Sequence, residues 1–378
     1  MKVIRVFLVD DTAVVRRVLS QILEEESDIE VAGMASNGAE ALQRIGRVEP
    51  DIIVLDIEMP DMNGLDMLRA LRASGSSVPV LVFSSLTERG AMVTIEALLL
   101  GANDYVLKPS MLGSVNAVRE HIRSTLIPRL RQLLGRRAPI VAPPAVAAAL
   151  RPEPVVKSSF RLPDLAAGQV DVVVIGVSTG GPNALSDLLP QFPADFPVPI
   201  LIVQHMPAFF TKALAQRLDR ICALEVVEGL AHLRPKPGQV ILAPGGRHLL
   251  LMRDGDAVWA RPDDAEPENF CRPAADVLFR SAAKVYGPRT LGVVLTGMGQ
   301  DGESGSRQIR EQGGQVIVQD QASSVVWGMP AAVMQAGLAN AVLPLAEMPA
   351  EIMKRAAVCR PWFSPPASSP ATTQDAES

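Results

Sequence analysis

The sequence predicts an α/β protein built from two doubly wound units. Three observations carry this. Apolar runs recur at residues 5–10, 51–55, 80–83, 104–107, 170–175, 199–203 and 290–295. Most are continuous rather than alternating, as in parallel strands covered on both faces. Segments of helical period separate them, giving repeated strand–helix alternation. The runs also end in residues with chemistry, and open α/β sheets gather reactive groups at the carboxyl ends of their strands.

In the first half, the run 5–10 closes on Asp10-Asp11, and the run 51–55 leads into Asp56. The run 80–83 leads into Ser84, and 104–107 into Lys108-Pro109. Carboxylates, a hydroxyl and a lysine are thereby predicted to converge on one edge of a parallel sheet. Oxygen donors of this kind suit Mg²⁺, which keeps several waters and accepts phosphate oxygens. Asp56 can then act as a nucleophile toward a phosphoryl donor. Lys108 and Ser84 would grip the added phosphoryl oxygens. Any one of these acids could be a helix cap; so many matching strand ends are hard to explain that way.

The second half opens on the run 170–175 and the turn Gly176-Val177-Ser178-Thr179-Gly180-Gly181-Pro182, followed by a helical stretch over 183–189. A strand, glycine-rich turn and helix aim backbone N–H groups and a helix N-terminus at whatever lies above the turn. Glycine at the third position would suit a pyrophosphate; Ser178 puts a hydroxyl there, and the spacing satisfies G-x-S-x-G. Taken alone, the loop fits a degenerate phosphate site as well as a nucleophile. A dinucleotide site wants an acid about 20 residues on, where Gln204-His205 stands instead.

His205 follows the run 199–203 and is the expected base; His121, His232 and His248 read as surface residues. The run 290–295 leads into Thr296-Gly297-Met298-Gly299-Gln300-Asp301-Gly302, which places Asp301 as the carboxylate that orients the imidazole. Asp301 could also cap the helical stretch 303–312. The order Ser, His, Asp along the chain differs from that of lipase-type hydrolases.

The chain of 378 residues accommodates two domains with cores of their own. A hydrophobic fraction of 48% with 20% charged residues describes a soluble globular chain, and a net charge of -5 argues against a nucleic-acid partner. No run of about 18 apolar residues occurs, which argues against membrane insertion. With no signal-like start either, the expected location is cytoplasmic. Cys222, Cys271 and Cys359 are widely spaced and odd in number, so free thiols are expected. An Arg-rich helix and then a stretch rich in Pro and Ala, up to residue 154, read as a linker, and the chain from Pro361 as a disordered tail.

These residues carry a resemblance. Residues 1–123 resemble a two-component receiver domain through Asp10, Asp11, Asp56, Ser84 and Lys108. Residues 167–355 are similar to the methylesterase domain of the chemotaxis protein-glutamate methylesterase (CheB) family, through Ile175–Pro182, Val203–Pro207 and Leu295–Gly302. The expected organisation is a receiver over 1–123, a linker over 124–166, a catalytic domain over 167–360 and a tail over 361–378. The resemblance implies a receiver with a five-stranded parallel sheet, and a larger, mostly parallel second domain with a short antiparallel hairpin.

It further implies Ser178 as nucleophile, His205 as base, Asp301 as orienter, and the backbone N–H groups of Thr179 and Met298 as the oxyanion site. Asp56 is the implied phosphoacceptor, with Asp10, Asp11, Asp56 and the Glu58 carbonyl holding Mg²⁺ and Ser84, Tyr105 and Lys108 sensing the phosphoryl group. The implied activity is a phosphorylation-activated removal of glutamate methyl esters, with glutamine deamidation, needing no cofactor for the hydrolysis itself. The implied partners are the helical cytoplasmic region of methyl-accepting chemoreceptors and a chemotaxis histidine kinase as phosphodonor, acting on a monomer. Two rival readings are a non-enzymatic regulator, whose second half binds a partner, and a small-molecule esterase.

Overall fold

A computed structural model describes residues 3–109, 115–135 and 170–356. The first half alternates β1 (Ile4–Val9), α1 (Ala13–Leu23), β2 (Ile29–Ala35), α2 (Gly38–Val48), β3 (Ile52–Leu55), α3 (Gly64–Ala73), β4 (Val80–Ser84), α4 (Glu88–Leu99) and β5 (Asp104–Leu107). The strands form a five-stranded sheet in the order β2-β1-β3-β4-β5, every neighbouring pair parallel. Asn37, Asn63 and Thr87 start α2, α3 and α4 by accepting from the N–H groups of Glu40, Asp66 and Gly90, each satisfying a donor the helix cannot use itself. β2 lacks a clear signal in the sequence because it is an edge strand, partly exposed along most of its length.

α5 (Val115–His121), a π-helical turn over Ile122–Leu126 and α6 (Ile127–Leu133) form one continuous helical segment. The π turn lies just before Pro128, whose ring removes a backbone donor from the helix. Leu126, Ile127 and Leu130 are buried in one cluster with Ile4, Leu8 and Leu19. Arg131 pairs with Glu26 and Asp28. The boundary expected at residue 123 thus falls inside a packed helix, and the first half continues to its end. The Pro/Ala stretch and the tail from Pro361 lie outside the described residues.

The second half runs β6 (Val172–Val177), α7 (Gly181–Leu188), β7 (Ile200–Gln204), α8 (Ala208–Ile221), β8 (Glu225–Glu228), β9 (Gln239–Leu242), β10 (His248–Asp254) and β11 (Ala257–Asp263). It continues with α9 (Ala275–Tyr286), β12 (Thr290–Val294), α10 (Glu303–Glu311), β13 (Gln315–Gln319), α11 (Met329–Gln335), β14 (Ala341–Leu343) and α12 (Met348–Ala356). Seven parallel strands lie in the order β14-β13-β12-β6-β7-β9-β8, and β10 and β11 form a separate antiparallel hairpin. From β6 the chain builds outward on the β7 side, then returns to β12 on the other. The strand order therefore reverses at β6, where a crevice opens at the carboxyl ends.

The two halves share apolar packing. Ile95, Leu98 and Tyr105 of the first belong to the same buried cluster as Ala184, Leu188, Phe210 and Leu214 of the second. The Tyr105 ring stacks on Phe210, with centroids 4.6 Å apart and planes 10° apart. Asn183 Nδ2 donates to the Ala102 carbonyl, and Lys212 pairs with Glu88.

Candidate active site and acidic cluster

Ser178 and His205 come together because β6 and β7 are neighbours in register, Val177 opposite Gln204. Each is the next residue beyond that pair, and the His205 N–H still donates to the Val177 carbonyl at 3.2 Å. The Gln204 amide fixes the turn from below by donating Nε2 to the Ser178 carbonyl at 3.0 Å. The turn needs glycine at two places. Gly180 has φ +79, and a Cβ on Gly297 would meet Met329 Sδ at 2.4 Å and Ser178 Cβ at 2.8 Å. α7 then starts at Gly181, two residues earlier than the sequence suggests.

Asp301 follows β12 and is 2% exposed. Its Oδ2 accepts from His205 Nε2 at 2.7 Å and from the Ala275 N–H at 2.6 Å. Its Oδ1 accepts from the N–H groups of Asp276 (3.0 Å) and Gly302 (3.1 Å) and from Asn269 Nδ2 (3.1 Å). The alternative role expected for Asp301, capping the helix that follows it, holds in part, since Oδ1 takes the Gly302 N–H at the start of α10. α10 has Gly302 at its N-cap, and no side chain caps it from that position. Asp301 binds the start of α9, and Asp276 of α9 returns the bond to the N–H groups of Gly302 and Gly305 at the start of α10. The two carboxylates thus cap each other's helices.

This crossed arrangement sets the charges. Burial would push Asp301 up, but the hydrogen bond and charge of His205, with the Asp276 and Ala275 amides, hold it below the usual carboxylate range. Asp276 is raised to about 6 by its own burial and then by the Asp301 charge. Burial would lower His205, but Asp301 and Cys271 outweigh it and raise the imidazole to about 9.

With Nε2 committed to Asp301, Nδ1 is the nitrogen left to act as base. It contacts Cys271 Sγ at 3.6 Å. Among the described residues Ser178 Oγ has no hydrogen-bond partner, so nucleophile and base are adjacent but not engaged. The amides of Thr179 and Met298 likewise have no acceptor among the described residues, and Thr179 Oγ1 is buried without a partner.

Sequence reasoning missed Asn269, Cys271 and Asp276, which lie on and just beyond the loop between the hairpin and α9; Asn269 and the adjacent Phe270 adopt positive φ. His232 is exposed as expected. His248 is not a surface residue: it is wholly buried, its Nδ1 accepting from the Ala274 N–H and its Nε2 facing the Glu266 carbonyl. His121 is half-buried, with Nε2 at 3.0 Å from the Leu107 carbonyl. Cys222 and Cys271 are free thiols, and Cys359 lies outside the described residues.

At the carboxyl edge of the first sheet, Asp10, Asp11 and Asp56 bring carboxylate oxygens within 4.8 Å of one another. Lys108 Nζ lies 3.0 Å from Asp10 and 2.7 Å from Asp56. Burial raises Asp56 to about 6 despite Lys108, whereas the less buried Lys108 is itself raised, because Asp56 and Asp10 together outweigh its own desolvation. Three clustered carboxylates against one ammonium, two of them buried, are a donor set that fits a hard divalent cation such as Mg²⁺.

Glu58 gives its N–H to Asp56 Oδ1 at 3.2 Å, while its side chain turns to Ser85 and Arg89. Ser84 Oγ is buried and bonded to Thr94 Oγ1 at 2.6 Å, so its hydroxyl is spent within the fold. Tyr105, with burial pushing its phenol well above the ordinary value, faces the second half.

Between the halves lies a cavity of about 380 Å³ lined by Tyr105, His121, Arg129, His205, Cys271 and Arg272, among others. Arg129, paired with Asp104, stands on the first half's side of it. His205 therefore opens onto a space whose far wall is the first domain.

A family model described as CheB methylesterase matches residues 173–352, and one described as response regulator receiver domain matches residues 6–119. Over 363 residues the chain is 48% identical to a protein-glutamate methylesterase/protein-glutamine glutaminase of Nocardioides sp., covering 96% of this chain and 98% of that one. A protein of the same description from Trichodesmium erythraeum is 48% identical over 354 residues, covering 93% and 98%. A third, from Caulobacter vibrioides, is 45% identical over 355 residues, covering 93% and 99%.

Proposed function

The chain belongs to the CheB methylesterase family, and from that premise we propose that it hydrolyses glutamate methyl esters, and deamidates glutamines, on chemoreceptors under the control of its receiver. The observation that carries the reading is the set Ser178, His205 and Asp301 at the carboxyl ends of adjacent strands, with His205 Nε2 at 2.7 Å from Asp301. Asp301 accepts the Nε2 proton and leaves the Nδ1 lone pair free. Nδ1 takes the Ser178 hydroxyl proton as Oγ attacks the ester carbonyl. The oxyanion forms opposite the amides of Thr179 and Met298, each such donor contributing about 3 kcal/mol in serine hydrolases. The imidazolium returns its proton to the departing methoxide, and methanol leaves. Water, deprotonated by the same nitrogen, then releases the glutamate carboxylate and regenerates Ser178. At a glutamine, ammonia departs instead.

In the receiver, Asp56 is the acceptor carboxylate, taking a phosphoryl group from a histidine kinase. A Mg²⁺ held by Asp10, Asp11, Asp56 and the Glu58 carbonyl would neutralise phosphoryl oxygens. Lys108 pairs with the added charge. Ser84 and Tyr105 sense it, Ser84 once its hydroxyl leaves Thr94, and Tyr105 through its stack on Phe210. The receiver is seated against α7, α8 and the cavity in front of His205, so its departure on phosphorylation opens the site to a macromolecular substrate.

The test is methanol release from methylated receptor membranes, with and without acetyl phosphate, alongside labelling of the chain by a fluorophosphonate. Label on Ser178 with methanol release supports the reading. An unlabelled chain that releases no methanol would leave a regulator that only binds.

A further inference from the structure

The face of α8 that the receiver covers carries more positive charge than the receiver uses. Lys212, Gln216 and Arg220 fall at four-residue intervals along α8 and share one side of it, with Arg217 adjoining. Lys212 pairs with Glu88 of α4 at 2.5 Å. Arg217 and Arg220 line a groove of about 200 Å³ between α8 and α4, opposite Met92, Ile95, Glu96 and Leu99. Neither arginine has an ion-pair partner among the described residues, and Glu96, the nearby acid, is taken by Arg69 at 2.6 Å. The face begins beside the site, where Phe210 in the first turn of α8 lies under Tyr105.

The element now seated on this face is itself informative. α4 is a helix that offers an apolar line, Met92, Ile95 and Leu99, flanked by the acids Glu88 and Glu96. It leaves two guanidinium groups unanswered. Resting on the reading that the receiver withdraws before substrate enters, we propose that the α8 face docks the substrate as an acidic amphipathic helix. In this scheme α4 imitates that helix imperfectly. Lys212, Arg217 and Arg220 meet its carboxylates while Ala213 meets its apolar line. A partner that satisfies both arginines keeps α4 from returning more effectively than one that does not, and long-range attraction of this kind favours encounter as well as binding.

The experiment uses the full chain treated with acetyl phosphate and Mg²⁺. The substrate is a helical peptide bearing one glutamate methyl ester, made in an acidic form and in a form with its other carboxylates replaced by glutamine. Peptide binding is followed by fluorescence anisotropy and turnover by methanol release. The acidic form is expected to bind about tenfold more tightly than the neutral one, an advantage that fades at high salt as the charges are screened. The double variant Arg217→Glu, Arg220→Glu is expected to remove that advantage, raising KM and leaving kcat near that of the parent.

Glu88→Ala removes only the acid that holds Lys212 in the closed arrangement, and it should leave the affinity for the acidic peptide unchanged. Equal binding of the two peptides, or a double variant with the parent's preference, overturns the inference. So does a Glu88→Ala chain that copies the double variant. Charge-dependent binding without methanol release supports the docking face and counts instead against the esterase reading.

Discussion

Replacing Asp301 by Asn tests the chemistry and the packing together. Every atom facing the Asp301 carboxylate is a donor: His205 Nε2 and the Ala275 N–H at Oδ2, and the Asp276 and Gly302 N–H groups with Asn269 Nδ2 at Oδ1. An asparagine has one oxygen and one NH₂, so one end must confront donors with a donor. The NH₂ loses fewer bonds at the Oδ2 end. There it forces His205 to accept at Nε2 and to carry its proton on Nδ1, the nitrogen that must be empty to deprotonate Ser178. A wrong tautomer of this kind lowers kcat by ~10⁴ in another Ser-His-Asp enzyme, equivalent to about 5.5 kcal/mol at 1.36 kcal/mol per decade.

At this end the bond to His205 is reversed and made to a neutral group, while the bond from the Ala275 N–H, made to a charged group and worth ~1.5–3 kcal/mol, is lost. Relief of Asp276, raised to about 6 by burial first and then by the Asp301 charge, returns part of this. A net destabilisation of about 2 kcal/mol is expected, since removing one partner leaves buried donors unsatisfied. The assay pairs fluorophosphonate labelling of Ser178 and methanol release with a thermal melt. Activity within about tenfold of the parent, in a chain that melts at the parent's temperature, would refute the assignment of Asp301 to both tasks.

Further outcomes are expected at three residues. Asp56→Asn should abolish phosphate uptake from acetyl phosphate, as should chelation of the metal; uptake at the parent's level in either case rules out the acidic cluster as acceptor. Because Asp56 is raised to about 6 from an ordinary 3.8, the native carboxyl holds a proton across that window where the unfolded chain does not. Its contribution to stability is therefore present below that window and lost as pH rises through about 6, and metal-free denaturation of Asp56→Asn should show a shallower fall. Tyr105→Ala removes a stacked pair worth about 1 kcal/mol. It should speed labelling of Ser178 in the unphosphorylated chain roughly fivefold, and an unchanged rate with normal phosphate uptake would show that the stack does not hold the halves together. His205, raised to about 9 from 6.5, stabilises the fold fully below about 6.5 and loses that contribution as pH rises through 9. Labelling of the unphosphorylated chain should climb through the same range, as the imidazole gives up its proton; a flat profile would contradict the assignment of His205 as base.

β3, β6 and β12 are buried at every position and were legible as continuous apolar runs, whereas β9 and β13, equally buried, went unread because glutamines shorten their apolar runs to three residues. β2 and β14 were not legible, since edge strands expose much of their length and carry no such run. Ser178, His205 and Asp301 were legible for the same topological reason, each standing just past a strand. Asn269 and Cys271 reach the site from an irregular loop, where neither period nor spacing announces a contact. Their signal is a tertiary one, the approach of that loop to the β7 end. The helix beyond residue 123 shares its stretch with the Pro/Ala segment, and the composition of the whole reads as a linker. Arg129 and Arg131 instead find Asp104, Glu26 and Asp28 inside the receiver. Charge on a helix indicates exposure only when its partners are unknown.

Under the proposed control by the receiver, the hydrolase could be held off by access or by protonation, and the closed arrangement bears on both. The receiver wall lies across the cavity in front of His205, where the proposed gating needs it. The same burial keeps the Asp301 carboxylate poorly screened, so the imidazole holds its proton to about 9, and an imidazolium cannot accept one from Ser178. Cys271 meanwhile occupies the Nδ1 side that Ser178 needs. Water entering as the receiver leaves would relieve the burial that lowers His205, and would also weaken the Asp301 and Cys271 contacts that raise it. Under the proposed gating, one displacement would act on access and on the protonation of His205 together, and the titration of His205 in the phosphorylated chain shows which way the second effect runs. Opening without any change in the His205 titration would mean that access alone is controlled.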